Sequence, residues 1–312
     1  MAAPARAPSR STRSRPPAAT LRVRCPAKVN LGLWVGRKRP DGYHEVDTFL
    51  QAISLEDEIL IAPGPPGLTL TTRGLSIPGP GPNLIERAWA LLSEEGILPS
   101  GAGLSARLTK RIPVGSGLGG GSSDAAGFVR AVDAMFDLKL SEADTHAILE
   151  RLGSDVPFFI KGGLARATGR GERVRHLCPI KPFWLVLASP ATAISTTWAY
   201  AQLRNRLTQT PSRATFLASA IKRGDLMGVV GAMHNAFEAV VLPQLPEIAA
   251  LKRVIASSGA IGALLSGSGS TVYGIASTRM EAQAVLKTVG RPGAEVRVAR
   301  SIEHGVTVSQ IG

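Results

Sequence analysis

Pro113-Val-Gly-Ser-Gly-Leu-Gly-Gly-Gly-Ser-Ser-Asp-Ala-Ala126 places five glycines in the seven positions from Gly115 to Gly121. So dense a run lets the backbone adopt positive φ and approach a ligand without Cβ clashes. Before it, Leu104, Ala106, Leu108 and Ile112 read as an edge-like strand. After it, small residues from Ser122 onward lead into Val129, Val132, Met135 and Phe136 at helical spacing. A strand–loop–helix arrangement points the unpaired N–H groups of the helix's first turn, and the positive end of its dipole, at whatever the loop encloses. That geometry suits a polyphosphate. The candidate anion-binding residues are Pro113, Val114, Gly115, Ser116, Gly117, Leu118, Gly119, Gly120, Gly121, Ser122 and Ser123, with the two serines able to add hydroxyls to phosphate or to a bound Mg²⁺. The alternative is a flexible linker, but linkers are not normally pinned between an alternating strand and an apolar helix. Gly115-x-Gly117-x-x-Gly120 fits a dinucleotide fingerprint by count, without a hydrophobic βαβ unit to support it. A Walker A loop is absent, since Gly-Lys-Ser/Thr does not occur.

Upstream of the loop, Leu21, Val23, Cys25, Ala27, Val29, Leu31, Leu33 and Val35 alternate strictly and predict a half-buried strand, with Lys28 and Asn30 together on its other face. Pro40-Asp-Gly42 marks a turn before extended segments at 46–53, 58–62 and 68–72. Asn83 opens a helix stopped by Gly96. Ser141 starts another, capping-box-like, that ends at Gly153. Residues 158–168 read as extended. The second half mixes a strand at 183–189, helical segments at 196–207, 212–223 and 225–240, a strand pair within 262–275, a helix at 279–289 and a last strand at 295–299. Strands and helices do not alternate regularly, which predicts an α+β fold rather than a parallel doubly wound sheet.

The 312 residues suffice for two ordinary domains, expected at 21–170 and 171–312 after a disordered basic tail at 1–20. A hydrophobic fraction of 44% with a mean hydropathy of +0.12 is that of a soluble globular chain, and no apolar run reaches the length of a membrane span. Ten of the 36 lysines and arginines fall in residues 1–40, ahead of the first acid, Asp41. The other 272 residues carry a net charge of only +3, so the +13 of the whole is local and does not describe a surface built to coat nucleic acid. Residues 1–20 lack the apolar core of a secretory signal but share the Arg/Ser-rich, acid-free composition of transit peptides. Two cysteines, Cys25 and Cys178, make neither a disulfide framework nor a metal cluster and favour a reducing compartment.

Four separate segments together resemble the GHMP kinase superfamily. They are Pro26-Ala-Lys-Val-Asn-Leu31 with Arg39-Pro-Asp-Gly-Tyr-His-Glu45, the glycine loop, Leu152-Gly-Ser-Asp-Val-Pro-Phe-Phe159, and Leu265-Ser-Gly-Ser-Gly-Ser-Thr271. The resemblance extends from about residue 21 to the C-terminus. It implies a two-domain fold, with an N-terminal half like the second domain of ribosomal protein S5, a ferredoxin-like C-terminal half, and an active site in the cleft between them. The Arg39-Pro-Asp-Gly-Tyr-His44 run points within the superfamily to a branch acting on a cytidine-diphosphate-linked methylerythritol in isoprenoid precursor biosynthesis. The implied partners are that small molecule, ATP and Mg²⁺, with no nucleic acid and no membrane, in a monomer or weak homodimer; the shortness of the tail favours the bacterial cytoplasm over a plastid.

The resemblance also implies roles. Phosphoryl transfer needs an acceptor for the hydroxyl proton, an aligned nucleophile and neutralisation of the moving charge. Asp155 would be the base and Lys28 its cationic partner, the glycine loop would bind ATP, and Asn30 would orient the substrate. Tyr43, His44, Thr196 and Tyr200 would border the cytidine, and Gly267, Ser268 and Gly269 would line the substrate as the third superfamily motif. Each has a plainer reading from residue type alone. Asp155 could N-cap a helix starting at Val156-Pro157, Lys28 could be solvated, Tyr43 and His44 could be packing residues beside a turn, and Gly267-Ser-Gly269 could be an ordinary hairpin. Asn83 and Lys110 are further candidates for nucleotide contact. Where the family usually has proline in Asn235-Ala-Phe-Glu-Ala239, this chain has Ala239. The rival readings are another kinase of the superfamily, acting on homoserine, mevalonate or a sugar, and a nucleotide- or RNA-binding protein using the basic arm.

Overall fold

The computed structural model describes residues 20–76, 81–203, 211–290 and 293–311; residues 1–19 of the predicted tail and 204–207 of a predicted helix lie outside them, and Thr20, the last residue of the predicted tail, opens the first strand instead. The first two strands, β1 (Thr20–Lys38) and β2 (His44–Pro63), form a long antiparallel hairpin. Its turn is closed by the Asp41 carboxylate, which accepts from Tyr43 N at 3.1 Å, and by Gly42 at φ +87°. The two extended segments expected at 46–53 and 58–62 are thus one strand, carried through by a bulge at Ser54–Leu55 opposite Pro26–Ala27. From Cys25 to Val35, β1 is buried on both faces rather than one, because apolar cores lie on either side of it.

β3 (Gly67–Gly74) runs parallel to β4 (Gly103–Lys110), and β4 lies between β3 and β2. It is therefore an interior strand, not the expected edge. Three helices cover this sheet: α1 (Leu84–Glu94), α2 (Gly120–Phe136) and α3 (Glu142–Leu152). Asn83 caps α1 with a full capping box, its Oδ1 accepting from Ile85 N at 3.0 Å and Glu86 returning to Asn83 N at 2.7 Å. Residues 158–168, expected to be extended, divide into a single helical turn, α4 (Phe158–Lys161), and a strand, β5 (Leu164–Gly169), that hairpins into β6 (Arg173–His176). A short apolar run such as Phe158-Phe159 fits the helical and the extended pattern alike, so its pattern does not decide between them.

The second sheet contains β7 (Trp184–Pro190), β9 (Gly262–Leu265), β10 (Val272–Ala276) and β11 (Ala294–Arg300), all antiparallel, in the order β11-β7-β10-β9. Helices α5 (Thr196–Gln202), α6 (Pro211–Lys222), α7 (Leu226–Ala232), α8 (Glu238–Gln244) and α9 (Pro246–Ser257) separate β7 from β9, and α10 (Arg279–Val289) separates β10 from β11. With α9 and α10 as the two packed helices, the strand order 4-1-3-2 is ferredoxin-like, as expected. The helix predicted at 225–240 is broken into α7 and α8 by a two-residue strand, β8 (His234–Asn235), that pairs in parallel with β1. The unpredicted β12 (Thr307–Ile311) returns to pair with residues 20–24 of β1. The sheets share a core in which Val29, Leu31, Phe49 and Ile53 meet Leu185, Leu187 and Tyr273. Among the described residues no helix is long and apolar enough to cross a membrane.

Candidate active site

The polar face of β1 delivers Lys28 and Asn30 into the structure, each 3% exposed, which excludes a solvated lysine. A buried ammonium must have partners, and Lys28 Nζ has three. It donates to Asn30 Oδ1 at 2.7 Å and to the carbonyl of Gly117 at 2.9 Å, and lies 3.5 Å from Asp155 Oδ2. Asn30 is fixed in turn, its Nδ2 donating to Thr48 Oγ1 at 2.8 Å, and Thr48 donates to the Gly32 carbonyl at 2.7 Å. Asp155 stands in the turn between α3 and α4, with its side chain 38% exposed. It caps no helix: α4 starts after Pro157, without a side-chain cap.

The glycine loop is bonded to β1 and to the β9–β10 connection. Lys28 N donates to Leu118 O at 2.9 Å, Thr271 N to Ser116 O at 3.0 Å, and Ser266 Oγ to Gly117 O at 3.0 Å. Gly117, at φ +78°, lies so close to the Ser266 carbonyl that a Cβ would be 1.9 Å from it. Helix α2 starts at Gly120, two residues earlier than expected, on a left-handed Gly119 (φ 73°) with no side-chain cap. The first intrahelical bond is Ser123 N to Gly119 O, so the amides of Gly120, Gly121 and Ser122, residues that line the cleft, precede it. The Gly267 loop is held from behind by Asn235, whose Nδ2 donates to Leu265 O at 2.7 Å and to Gly267 O at 2.8 Å.

These groups open on one cleft of about 740 Å³. Lining it are Lys28, Asn30, Tyr43, His44, Asp155, Thr196, Tyr200, Gly267 and Ser268, together with Pro113, Val114, Gly115, Ser116, Gly117, Gly119, Gly120, Gly121 and Ser122. Four sequence candidates do not line it, Asn83 among them. Leu118 is fully buried in the shared core, Gly269 packs against Ile194 and Leu265, and Ser123 is fully buried with its hydroxyl unpartnered. Ser122 and Ser123 are about 100° apart around the helix, so only one of them can face the cleft.

At the far end His44 stacks on Tyr200, with centroids 5.5 Å apart, and Tyr200 meets Phe237 edge-on at 4.9 Å. Burial, with Asp155 adding to it, pushes the Tyr200 phenol far above its ordinary range, so it stays neutral. His44 Nδ1 lies 3.0 Å from the Gly36 carbonyl. A carbonyl only accepts, so that nitrogen carries the hydrogen and Nε2 of the neutral ring is left as an acceptor.

Lys110 reaches the cleft wall but is engaged beneath it, donating to Asp57 and, at 2.7 Å, to Asp124 Oδ2, all three residues being buried. Asp57 Oδ1 accepts from Arg111 N (2.5 Å) and Ile112 N (2.9 Å), where the chain enters the loop. Asn83, occupied as a helix cap, does not line the cleft. Sequence reasoning missed Arg170, Thr48 and Phe237 on the cleft wall and the support from Asn235. Arg170 has a local signal in Gly169-Arg-Gly-Glu172, a glycine-flanked turn presenting one cation, whereas the others depend on contacts distant in sequence.

The GHMP kinases N terminal domain matches residues 83–163 and the GHMP kinases C terminal domain residues 217–295. The chain is 40% identical over 276 residues to 4-diphosphocytidyl-2-C-methyl-D-erythritol kinase of Pelotomaculum thermopropionicum, covering 88% of this chain and 96% of that one. It is 35% identical over 297 residues to the protein of the same name from Gloeobacter violaceus, covering 93% and 97%. A crystal structure of 4-(cytidine 5'-diphospho)-2C-methyl-D-erythritol kinase superposes with a TM-score of 0.74 at 32% identity over 89% of this chain and 98% of that one. Homoserine kinase from Cytophaga hutchinsonii shares the fold, with a TM-score of 0.71 at 17% identity over 97% and 100%.

Proposed function

The chain belongs to the GHMP kinases, within them to the family of 4-diphosphocytidyl-2-C-methyl-D-erythritol kinases, and we propose that its cleft transfers the γ-phosphoryl group of ATP to the 2-hydroxyl of 4-diphosphocytidyl-2-C-methyl-D-erythritol, a step of non-mevalonate isoprenoid precursor biosynthesis. The observation that carries the reading is the Lys28–Asp155 pair at 3.5 Å, which shares one cleft with the first-turn residues of α2.

In this reading the ATP phosphates lie against the amides of Gly120, Gly121 and Ser122, with Pro113, Val114, Gly115, Ser116, Gly117 and Gly119 forming the rest of the cradle. Asp155 accepts the hydroxyl proton as the alcohol oxygen bonds to the γ-phosphorus and the bond to the β–γ bridging oxygen breaks, releasing ADP. Lys28 sits where negative charge builds on the attacking and transferred oxygens. Its bonds to Asn30 and Gly117 fix it beforehand, so little reorganisation is needed during transfer. Asn30, held by Thr48, and the Gly267-Ser268 turn position the acceptor alcohol. The base lies among Tyr43, His44 and Tyr200, and Thr196, 3.2 Å from Ser268, borders it. The acceptor lone pair of His44 suits the 4-amino group of cytosine rather than the 4-oxo group of uracil.

Mg²⁺ belongs to the proposal as the ion that screens the ATP phosphates. The described residues contain no cluster of three or more His, Cys, Asp or Glu able to hold a metal. An ion of this kind would be bound chiefly by the ATP phosphates and water, with one or two protein oxygens. Ser122, on the cleft wall at the start of α2, would supply one such oxygen. All the residues invoked come from one chain, so a monomer suffices, and we place it in the cytosol with its phosphorylated substrates.

The test is ATP turnover with the diphosphocytidyl substrate by wild type and Asp155→Asn. The substitution should lower kcat by about 10²–10⁴-fold, the range a general base supplies, with ATP affinity retained. Turnover of homoserine, mevalonate or a sugar in place of the cytidine substrate would overturn the reading.

A further inference from the structure

Arg170 sits at the tip of the β5–β6 hairpin, where Gly169 (φ +76°) and Gly171 (φ +113°) turn the chain and Arg170 N donates to Glu172 Oε2 at 2.6 Å. Two contacts locate this tip. The guanidinium lies over the Tyr43 ring, 5.1 Å from its centroid. The adjacent Gly171 is so close to Asp155 that a Cβ there would be 3.9 Å from its Oδ1. One turn therefore reaches from the proposed base platform to the proposed base catalyst.

Three lysine or arginine side chains line the cleft. Lys28 is bonded to Asn30 and Gly117, and Lys110 to Asp57 and Asp124. Arg170 is the remaining one. Its Nε is 3.9 Å from Glu172, a carboxylate shared with Arg173 at 3.6 Å, and it also faces the Asp41 carboxylate, which is itself hydrogen-bonded to Arg39 and Tyr43 N; no hydrogen bond occupies the Arg170 Nη groups among the described residues. A guanidinium stacked on a ring uses its face, which leaves the in-plane N–H fork free for a planar or tetrahedral oxyanion.

In a cytidine diphosphate-linked alcohol, the diphosphate lies between the base and the reacting hydroxyl. The turn that carries Arg170 spans the same interval, from Tyr43 under its guanidinium to Asp155 beside Gly171. Resting on the function proposed above, we infer that Arg170 binds the diphosphate of the acceptor substrate and is a specificity-determining residue that selects nucleoside-diphosphate-linked alcohols over simple ones. Glu172 holds the arginine from behind, and Tyr43 serves the base and the guanidinium alike.

The experiment compares inhibition by cytidine and by CDP, each competing with the diphosphocytidyl substrate at saturating ATP, in wild type, Arg170→Gln and Arg170→Lys. Loss of a charge-assisted fork should raise the acceptor KM and the CDP inhibition constant about 10- to 50-fold in Arg170→Gln, leaving the cytidine constant, kcat and the ATP KM largely unchanged. Arg170→Lys should fall between, since it keeps the charge without the fork. Equal weakening of cytidine and CDP would mean that the arginine only braces Tyr43, and unchanged constants would mean that it binds nothing; either overturns the inference while leaving the function intact. A wild type that does not turn over the diphosphocytidyl substrate overturns both.

Discussion

Lys28 Nζ donates to the carbonyl of Gly117 at 2.9 Å, while the main-chain nitrogen of the same lysine donates to Leu118 O at 2.9 Å. The buried strand and the glycine loop therefore move as one unit. The loop contains the residues with the greatest conformational freedom, yet the ammonium and the α2 amides keep a fixed separation because the lysine is bonded to the loop it faces. In-line transfer depends on such fixed separations.

Gly119→Ala tests that coupling. Gly119 is left-handed at φ +73°, a conformation costing a Cβ-bearing residue about 1–2 kcal/mol. An added Cβ would also meet Phe159 Cζ at 2.8 Å and Lys28 Cε and Cγ at 3.2 Å. The displaced lysine and the displaced cradle should lower kcat and raise the ATP KM together, by about 10²-fold in kcat/KM for a shift near 1 Å. Steady-state kinetics that leave the two parameters at wild-type values would refute it.

The glycine loop was legible because its signals are local: glycine density, a strand before it and a helix after it. Lys28 and Asn30 were legible as a pair because a strand's period of two places them on one face. The interior position of β4 was not, because a strand's neighbours depend on which segments return to it. Nor was the return of β12 to β1, which joins opposite ends of the chain. Residues 225–240 have helical composition throughout but are interrupted because Asn235 is needed elsewhere. The separate fates of Ser122 and Ser123 depend on where α2 begins, and a two-residue difference at that end decides which hydroxyl faces the cleft.

Asn235→Ala should expose how much that interruption contributes. The side chain is 3% exposed, donates to the carbonyls of Leu265 and Gly267, and accepts from Phe237 N at 2.9 Å. Truncation leaves three buried main-chain groups without partners, a loss of about 2–4 kcal/mol. Because the Gly267 turn is released, the acceptor KM should also rise more than the ATP KM. Thermal denaturation and the two KM values check this, and a variant as stable as wild type would contradict it.

The last prediction concerns pH. Asp124, at the start of α2, and Asp57, on β2, share the single ammonium of Lys110, all buried and close to the Cys25 thiol of β1. One cation cannot neutralise two buried carboxylates. Burial first, and then repulsion from Asp57 against the opposing pull of Lys110, moves the Asp124 carboxyl up to about 7. In the unfolded chain an aspartate titrates near 4. Between those values the folded protein holds a proton that the unfolded chain has lost, so this group's contribution to stability falls as pH rises from about 4 to about 7 and is level above it, by about 4 kcal/mol at most. The Lys110 ammonium, raised by the same carboxylates against its own burial, keeps its charge throughout that window. Asp124→Asn removes the titration while keeping an oxygen for Lys110. The difference in melting temperature, variant minus wild type, should therefore grow in the variant's favour as pH rises from about 5 to about 7.5, other groups cancelling in the comparison. A difference constant across that range would show that the triad carries no proton to lose.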